Sequence, residues 1–345
     1  MSLVARLALS LPIIQAPMAG VQDAALAIAV GSAGGLGSLP AAMLTPAALS
    51  EQLERLAQAG RPCNVNFFAH TPPLPDAGRE AAWRARLAPC YGEFGIDPAS
   101  IPGGPGRQPF DAQAAALVER FRPAVVSFHF GLPDEALLAR VRATGALILS
   151  SATTVDEARW LAARGVDAVI AQGLEAGGHR GMFLDDDVTT QVGTFALLPQ
   201  IVAAVDCPVI AAGGIVTPEG VRAALALGAD AVQAGTVYLC SDEAATTPLH
   251  RAALASDAAR HTALTNLFSG RPARGIVNRF MREFGPLNEN APAFPLATAA
   301  VAPLRAAAEA QGRSDFTPLW CGQNPHCPAR PAAAITRWLA GVESA

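Results

Sequence analysis

Residues 168–181, A-V-I-A-Q-G-L-E-A-G-G-H-R-G, carry the pattern that decides how this chain is read. The apolar run 168–171 has the length of a strand buried on both faces. Directly after it the chain packs Gln172, Glu175, Gly177, Gly178, His179 and Arg180 into one turn. Glycine lets a backbone approach a ligand closely, and a strand fixed in a sheet aims the histidine that follows it. Taken alone, the stretch also fits a plain turn whose histidine caps a helix, since single glycine-rich turns are weak evidence. The flanking sequence decides between the two.

Similar runs recur on both sides, alternating with helical patterns through the first 240 residues: 13–16, 34–39, 64–68, 125–128, 146–150, 168–172, 209–212 and 231–234. Helices are expected over 24–33, from the Thr45-Pro46 cap to residue 59, after Asp134, over 155–164 and after the Thr217-Pro218 cap. Eight continuous apolar strands alternating with helices point to an α/β fold, a parallel (β/α)8 TIM barrel. A doubly wound sheet is the runner-up, but no G-x-G-x-x-G follows the first strand. The Pro/Gly-rich stretch of about 69–110 is too long for an ordinary βα loop. It is expected to be an insertion with a helix near 79–87, folded over one end of the barrel. Beyond residue 240 strands disappear from the pattern, and helices are expected over 246–267, 274–284 and 297–311. Residues 1–240 thus read as the barrel, and 241–345 as a helical segment that packs over it as a lid.

Composition narrows the function. Of 345 residues, 51% are hydrophobic and 16% charged, so a large core can be buried. A net charge of −4 and a pI of about 5.9 argue against nucleic acid as the partner. No window reaches roughly 18 uncharged apolar residues, and the N-terminus has no convincing cleavage site. A cytoplasmic enzyme with no membrane partner is expected. The cysteines Cys63, Cys90, Cys207, Cys240, Cys321 and Cys327 are scattered in mostly apolar contexts and read as buried thiols. Cys321, His326 and Cys327 lack a second ligand pair, so no metal is expected. All 25 basic residues are arginine. Having no lysine excludes Schiff-base aldolases, pyridoxal phosphate enzymes and P-loop NTPases.

In a barrel, chemistry gathers at the carboxyl ends of the strands. These ends supply Gln15 to Ala19, Asn64, Asn66, His129, Ser150, Ser151, Gln172 through His179, Gly213, Gly214, Gly235 and Thr236. The glycines after the seventh and eighth strands match the usual phosphate cradle of this fold, where amides and a helix N-terminus meet an anion. No arginine adjoins them, so backbone amides are expected to hold the phosphate. Asn66, Gln172 and the Ala16–Met18 backbone offer neutral donors and acceptors. That set suits a flat heterocycle such as a flavin better than a sugar phosphate. Glu175 is the only nearby carboxylate that an isomerase could use as a base.

At this point the motifs become specific. Q-A-P-M-A-G (15–20), C-N-V-N-F-F (63–68), V-V-S-F-H-F-G (125–131), Q-G-L-E-A-G-G-H-R-G (172–181), A-A-G-G-I (211–215) and Q-A-G-T (233–236) occur in that order. S-G-R-P-A-R-G-I-V-N-R-F (269–280) and L-W-C-G-Q (319–323) follow. Together they resemble the nitronate monooxygenase family, formerly 2-nitropropane dioxygenases, over about residues 12–322, and V-S-F-H-F-G points to its class I branch. The resemblance implies noncovalent FMN. It would be met by Ala16, Pro17, Met18, Asn66, Gln172, Gly177, Gly178, Gly213, Gly214, Gln233, Ala234, Gly235 and Thr236. It also implies His179 as the active-site histidine and His129 as a second pocket histidine.

The implied reaction oxidises alkyl nitronates, of the propionate 3-nitronate type, with O2 to a carbonyl compound and nitrite. The flavin carries the redox step, while a histidine of near-neutral pKa would orient the nitronate oxygens and offset their charge. One departure stands out: Phe294-Pro295-Leu296 occupies the place where class I relatives carry a tyrosine before Pro-Leu. The rivals are an NAD(P)H-dependent flavin reductase of quinones or enoyl thioesters, and a barrel that retains FMN as a sensor. The intact E-A-G-G-H-R-G argues against the sensor. Monomer and homodimer both stay open. So does Arg180, as a phosphate holder, a substrate binder or a partner of Glu175.

Overall fold

The computed structural model describes residues 1–101 and 107–343; residues 102–106 of the expected insertion lie outside the described residues. Eleven strands follow in chain order: β1 (Ile13–Gln15), β2 (Gly37–Pro40), β3 (Cys63–Phe68), β4 (Val125–His129), β5 (Leu147–Ala152), β6 (Ala168–Gln172), β7 (Gly178–His179), β8 (Val209–Ala212), β9 (Ala231–Ala234), β10 (Thr262–Thr265) and β11 (Ala273–Ile276). Eight of them form one parallel sheet in the order β1-β9-β8-β6-β5-β4-β3-β2. The Gln15 amide donates to the Leu36 carbonyl and the Leu36 amide to the Ile13 carbonyl, both at 2.9 Å. These bonds join the two sheet edges, and the barrel closes.

Side-chain alternation along each strand explains where the site lies. Residues two apart share a face. At the lower end the inward positions are Ile14, Leu36, Val125, Leu149, Ala168, Ile210 and Ala231, which pack into one apolar plug with Leu3 and Leu7 of the N-terminal helix Leu3–Arg6. Asp230 Oδ2 holds that helix in place, accepting from the Leu3 amide at 2.8 Å. Further along the strands, the same inward parity presents Asn66, Phe68, His129, Ser151, Gln172 and Gln233. The barrel interior therefore changes from dry to polar along its axis, and its carboxyl end is the wet one. The opposite parity faces an outer layer of helices. Asp23, Thr45, Asp134, Thr154 and Thr217 each accept a backbone N–H at a helix start, Thr45, Asp134 and Thr217 as expected from the sequence.

The expected all-helical tail needs correction. The helix expected over 246–267 stops early, at Pro248–Leu254, and β10 follows; the one expected over 274–284 begins as strand β11. The two strands pair antiparallel, and β11 also pairs with β7, placing Ala273 opposite His179. A two-residue strand cannot persist alone, so the tail hairpin supplies its ladder. The helix Ala77–Glu93 of the insertion runs past the expected 79–87. It packs Trp83, Leu87 and Tyr91 against Phe268, Phe280, Leu304 and Phe316 of the tail. Insertion and tail thus build a cover with its own core over the carboxyl end. The last helix, Ala332–Leu339, leaves the cover and returns to the barrel wall, where Ala332, Ile335 and Leu339 join the main core. Thr336 Oγ1 and the Tyr238 hydroxyl share a hydrogen bond of 2.9 Å there.

Candidate active site

One cavity opens at the polar end of the barrel, beneath the cover. Ala16, Pro17, Met18, Asn66, His129, Gln172, Gly177, Gly178, His179, Gly213, Gly214, Gln233, Ala234, Gly235 and Thr236 all line it. The structure brings these residues to a single surface, while Gln15, Asn64, Ser150 and Glu175, also at strand ends, do not line it. It does not use them all in the same way.

His179 is the most constrained. Its carbonyl accepts two hydrogen bonds, from Gln172 Nε2 at 3.0 Å and from His129 Nε2 at 3.1 Å. Gln172 Oε1 in turn accepts the Gly181 amide at 2.7 Å. Because a carbonyl can only accept, His129 carries its proton on Nε2, and Nδ1 accepts from the Ser151 hydroxyl at 3.1 Å. Gln172 Nε2 and His129 Nε2 thus both fix the His179 carbonyl, while Gln172 Oε1 holds the Gly181 amide and the Ser151 hydroxyl orients the His129 ring. The His179 imidazole is gripped from the other side, where Nε2 meets Ser269 Oγ at 2.8 Å. Nδ1 makes no hydrogen bond among the described residues. Phe294 and Trp320 flank the ring, with centroids 5.5 and 5.6 Å away.

The electrostatics reinforce this picture. Burial pushes His179 well below the ordinary histidine value, and Arg107, His129, Arg271 and His70 push it further. Burial likewise holds His129 at about 4. The expectation of a near-neutral pKa is corrected: both imidazoles are uncharged at neutral pH.

The glycine cradle has the backbone it needs. Gly213 and Gly214 have φ of +121° and +69°, a region that side chains disfavour. Gly235 precedes the short 3-10 turn Thr236–Tyr238. The amides of Ala16 and Met18, by contrast, are already bonded to the Ala234 carbonyl (2.8 Å) and to Gln22 Oε1 (2.8 Å). Pro17 has no N–H to offer, so this segment presents apolar surface and carbonyls, not free amides, to the cavity. Asn66 commits its Nδ2 to Ser127 Oγ at 2.9 Å. Gln233 Oε1 is different, being buried with no hydrogen-bond partner among the described residues. It is an acceptor waiting for a donor from the cavity.

Three residues of the 172–181 stretch carry structural contacts. The absence of a Cβ on Gly177 serves the tail, because one there would lie 2.6 Å from the Gly322 amide and 2.7 Å from the Cys321 carbonyl carbon. Arg180 takes none of the roles left open for it. It is buried and donates to the carbonyls of Gly173 (2.6 Å) and Gln172 (2.7 Å) and to Gln191 Oε1 (2.9 Å). Glu175 caps the helix Thr194–Ala204, accepting from the Thr194 amide at 2.8 Å, so it is no free base. Sequence reasoning missed Ser269, Arg107 and Trp320 as site residues. Ser269 and Trp320 stood inside the quoted tail motifs, which was their only signal.

Comparison with known proteins agrees with this architecture. Residues 2–334 match the family model described as nitronate monooxygenase. The nitronate monooxygenase of Paraburkholderia phytofirmans is 42% identical over 335 residues, spanning 96% of this chain and 89% of that protein. That of Pseudomonas aeruginosa is 42% identical over 341 residues, 95% of each. Among solved structures, the nitroalkane oxidase of Streptomyces ansochromogenes superposes with a TM-score of 0.87 at 41% identity, covering 96% of this chain and 95% of that one.

Proposed function

This chain belongs to the nitronate monooxygenase family and is an oxidoreductase, and from that premise we propose that it holds FMN in the barrel-top cavity and oxidises alkyl nitronates of the propionate 3-nitronate type with O2, to a carbonyl compound and nitrite. The residues present fit that cofactor. Gln233 Oε1 is a buried acceptor with no protein partner among the described residues, and a flavin supplies N–H and ribityl O–H donors. The turns at Gly213, Gly214 and Gly235 carry no side chain that would keep a phosphate from the main chain. FMN, when bound, supplies the electron transfer between substrate and oxygen.

The observation that carries the reading is the uncharged, doubly held His179. A nitronate is already an anion, so it needs orientation more than deprotonation. The Ser269 hydroxyl can donate to Nε2, which leaves the proton on Nδ1 as a donor to a nitronate oxygen. If the serine accepts instead, Nδ1 becomes a lone-pair base for the Cα proton of a neutral nitroalkane. An anionic substrate selects the first arrangement. His129 and Gln172 act as positioning residues, because Nε2 of each bonds the His179 carbonyl and Gln172 Oε1 holds the Gly181 amide. Phe68 and Phe130, with Phe294 and Trp320, surround the imidazole and keep water from it.

The test is a visible spectrum of the purified protein, followed by anaerobic addition of propionate 3-nitronate and, separately, of NADPH. The expected result is a yellow protein whose flavin band responds to the nitronate and not to NADPH, with nitrite released on admitting O2. Bleaching by NADPH without a response to the nitronate would move the chain to the reductase reading. A colourless protein that FMN cannot reconstitute would end the flavin reading.

A further inference from the structure

Two half-buried arginines lie between barrel and cover with no close carboxylate partner of matching burial among the described residues. Arg107 lines the cavity, and among the described residues its side chain reaches only the Thr298 hydroxyl, from Nη1 at 3.4 Å. Arg271 approaches Asp186 at 3.8 Å, but that carboxylate is 86% exposed. Arg271 Nη1 is buried with no hydrogen-bond partner among the described residues. Both guanidiniums lie near the same ring, their Cζ atoms 5.8 and 6.0 Å from the Phe294 centroid. Arg271 also sits 4.6 Å over Phe130. These are two of the rings that face His179. The aromatic wall of the site is thus backed by two positive charges.

Withdrawing a cation even partly from water without an anion is costly, and natural proteins pair such groups or reserve them for a ligand. The nitronate group supplies one negative charge, and on the proposed reading it lies at His179. Arg305 also lines the cavity but is paired with Glu309 Oε1 at 2.7 Å, so a second anionic group on the same molecule would meet Arg107, which has no ion pair among the described residues. Arginine suits a carboxylate there because its planar fork donates two parallel hydrogen bonds, and its weakly hydrated face stacks on phenylalanine.

Resting on the nitronate reading, we propose that Arg107, reinforced by the field of Arg271, receives a carboxylate carried a short chain away from the nitronate carbon. The site thereby selects dianionic nitronates over simple alkyl nitronates. Arg107 is the contact residue. Arg271 acts through the field and through its stacking on Phe130.

The test compares propionate 3-nitronate with propyl-1-nitronate, which has the same carbon count and no carboxylate, on the holoenzyme and on Arg107→Met and Arg107→Lys. Arg107→Met is expected to lose about 100-fold in kcat/KM for the carboxylated substrate and less than about 3-fold for the alkyl one. Arg107→Lys keeps the charge without the fork and should recover about half of that loss on a logarithmic scale. Equal losses on both substrates, or none on either, would overturn the inference. A parallel titration follows the quenching of tryptophan fluorescence by 3-nitropropanoate and by 1-nitropropane. Arg107→Met should weaken only the former, again by about 100-fold. If the wild-type protein oxidises neither nitronate, the nitronate reading falls, while the titration still decides whether Arg107 binds the carboxylate.

Discussion

The barrel and the cover bury their apolar side chains by different rules. In the barrel, Ile14, Leu36, Val125, Leu149 and Ile210 sit on adjacent parallel strands and face inward by simple alternation. In the cover, Trp83 and Leu87 of the insertion meet Phe280, Leu304 and Phe316, which lie some two hundred residues later in the chain. The barrel floor presents Gln172, His129 and Gln233 on a rigid sheet. The cover adds Ser269, β11 and Arg107 from loops and a hairpin. His179 is held by both, its carbonyl from below and its imidazole from above. A rigid scaffold with mobile, variable loops above it is how barrels separate stability from chemistry. Here the separation passes through a single residue.

That division of labour yields tests of graded size. His179→Asn should lower nitronate turnover by about 1000-fold, the scale of a lost positioned donor or base, while the flavin spectrum stays unchanged. Loss of the flavin in that variant would show that His179 belongs to the cofactor's grip, and the comparison would break. Gly177→Ala places a methyl against backbone of the tail. It should destabilise the protein by about 2 kcal/mol and open the 262–331 region to limited proteolysis. Gly178→Ala, with φ +72° and open space around it, should cost only about 1 kcal/mol. Equal effects at the two positions would mean that the tail does not lean on Gly177.

Acid should loosen the seam between barrel and cover. His70, His129 and His250 are each held at about 4, chiefly by burial, below the ordinary 6.5. The unfolded chain gains protons in this window that the folded chain refuses. Stability is therefore full above about pH 6.5 and declines towards pH 4, by at most about 1.4 kcal/mol per pH unit for each group. Thermal melts from pH 8 to 4.5 measure the slope, and His250→Asn should flatten it. The smallest effect is expected for Phe294→Tyr. The added hydroxyl lies at the edge of the aromatic wall and should change KM by less than about 5-fold, more for polar nitronates than for alkyl ones.

Much of the barrel was legible in the sequence because its physics is local. Continuous apolar runs marked the strands, with 168–172 matching β6 to the residue, and Thr45, Asp134 and Thr217 marked three of the helix starts. The His179 loop was legible because glycines and a histidine crowd the end of a buried strand. The cover was not. Strand β11 reads A-R-G-I, whose arginine and glycine carry no strand signal, and it is a strand only because β10 and β7 pair with it. Arg107 and Arg271 stand beside prolines and glycines in stretches that look solvated, and only the folded cover reveals that they are half-buried. The motif for Gln172 pointed to the cavity correctly. Its actual bonds, to the His179 carbonyl and the Gly181 amide, depend on how the loop turns back on itself.

The central claim is that the cover aims the histidine which the barrel floor carries. Steady-state turnover of Ser269→Ala with propionate 3-nitronate, measured beside the flavin spectrum of the same sample, tests it most directly. The account predicts that kcat falls by about 10-fold or more with the flavin band and cofactor content unchanged. Unchanged turnover, or a loss that only tracks lost flavin, would contradict it.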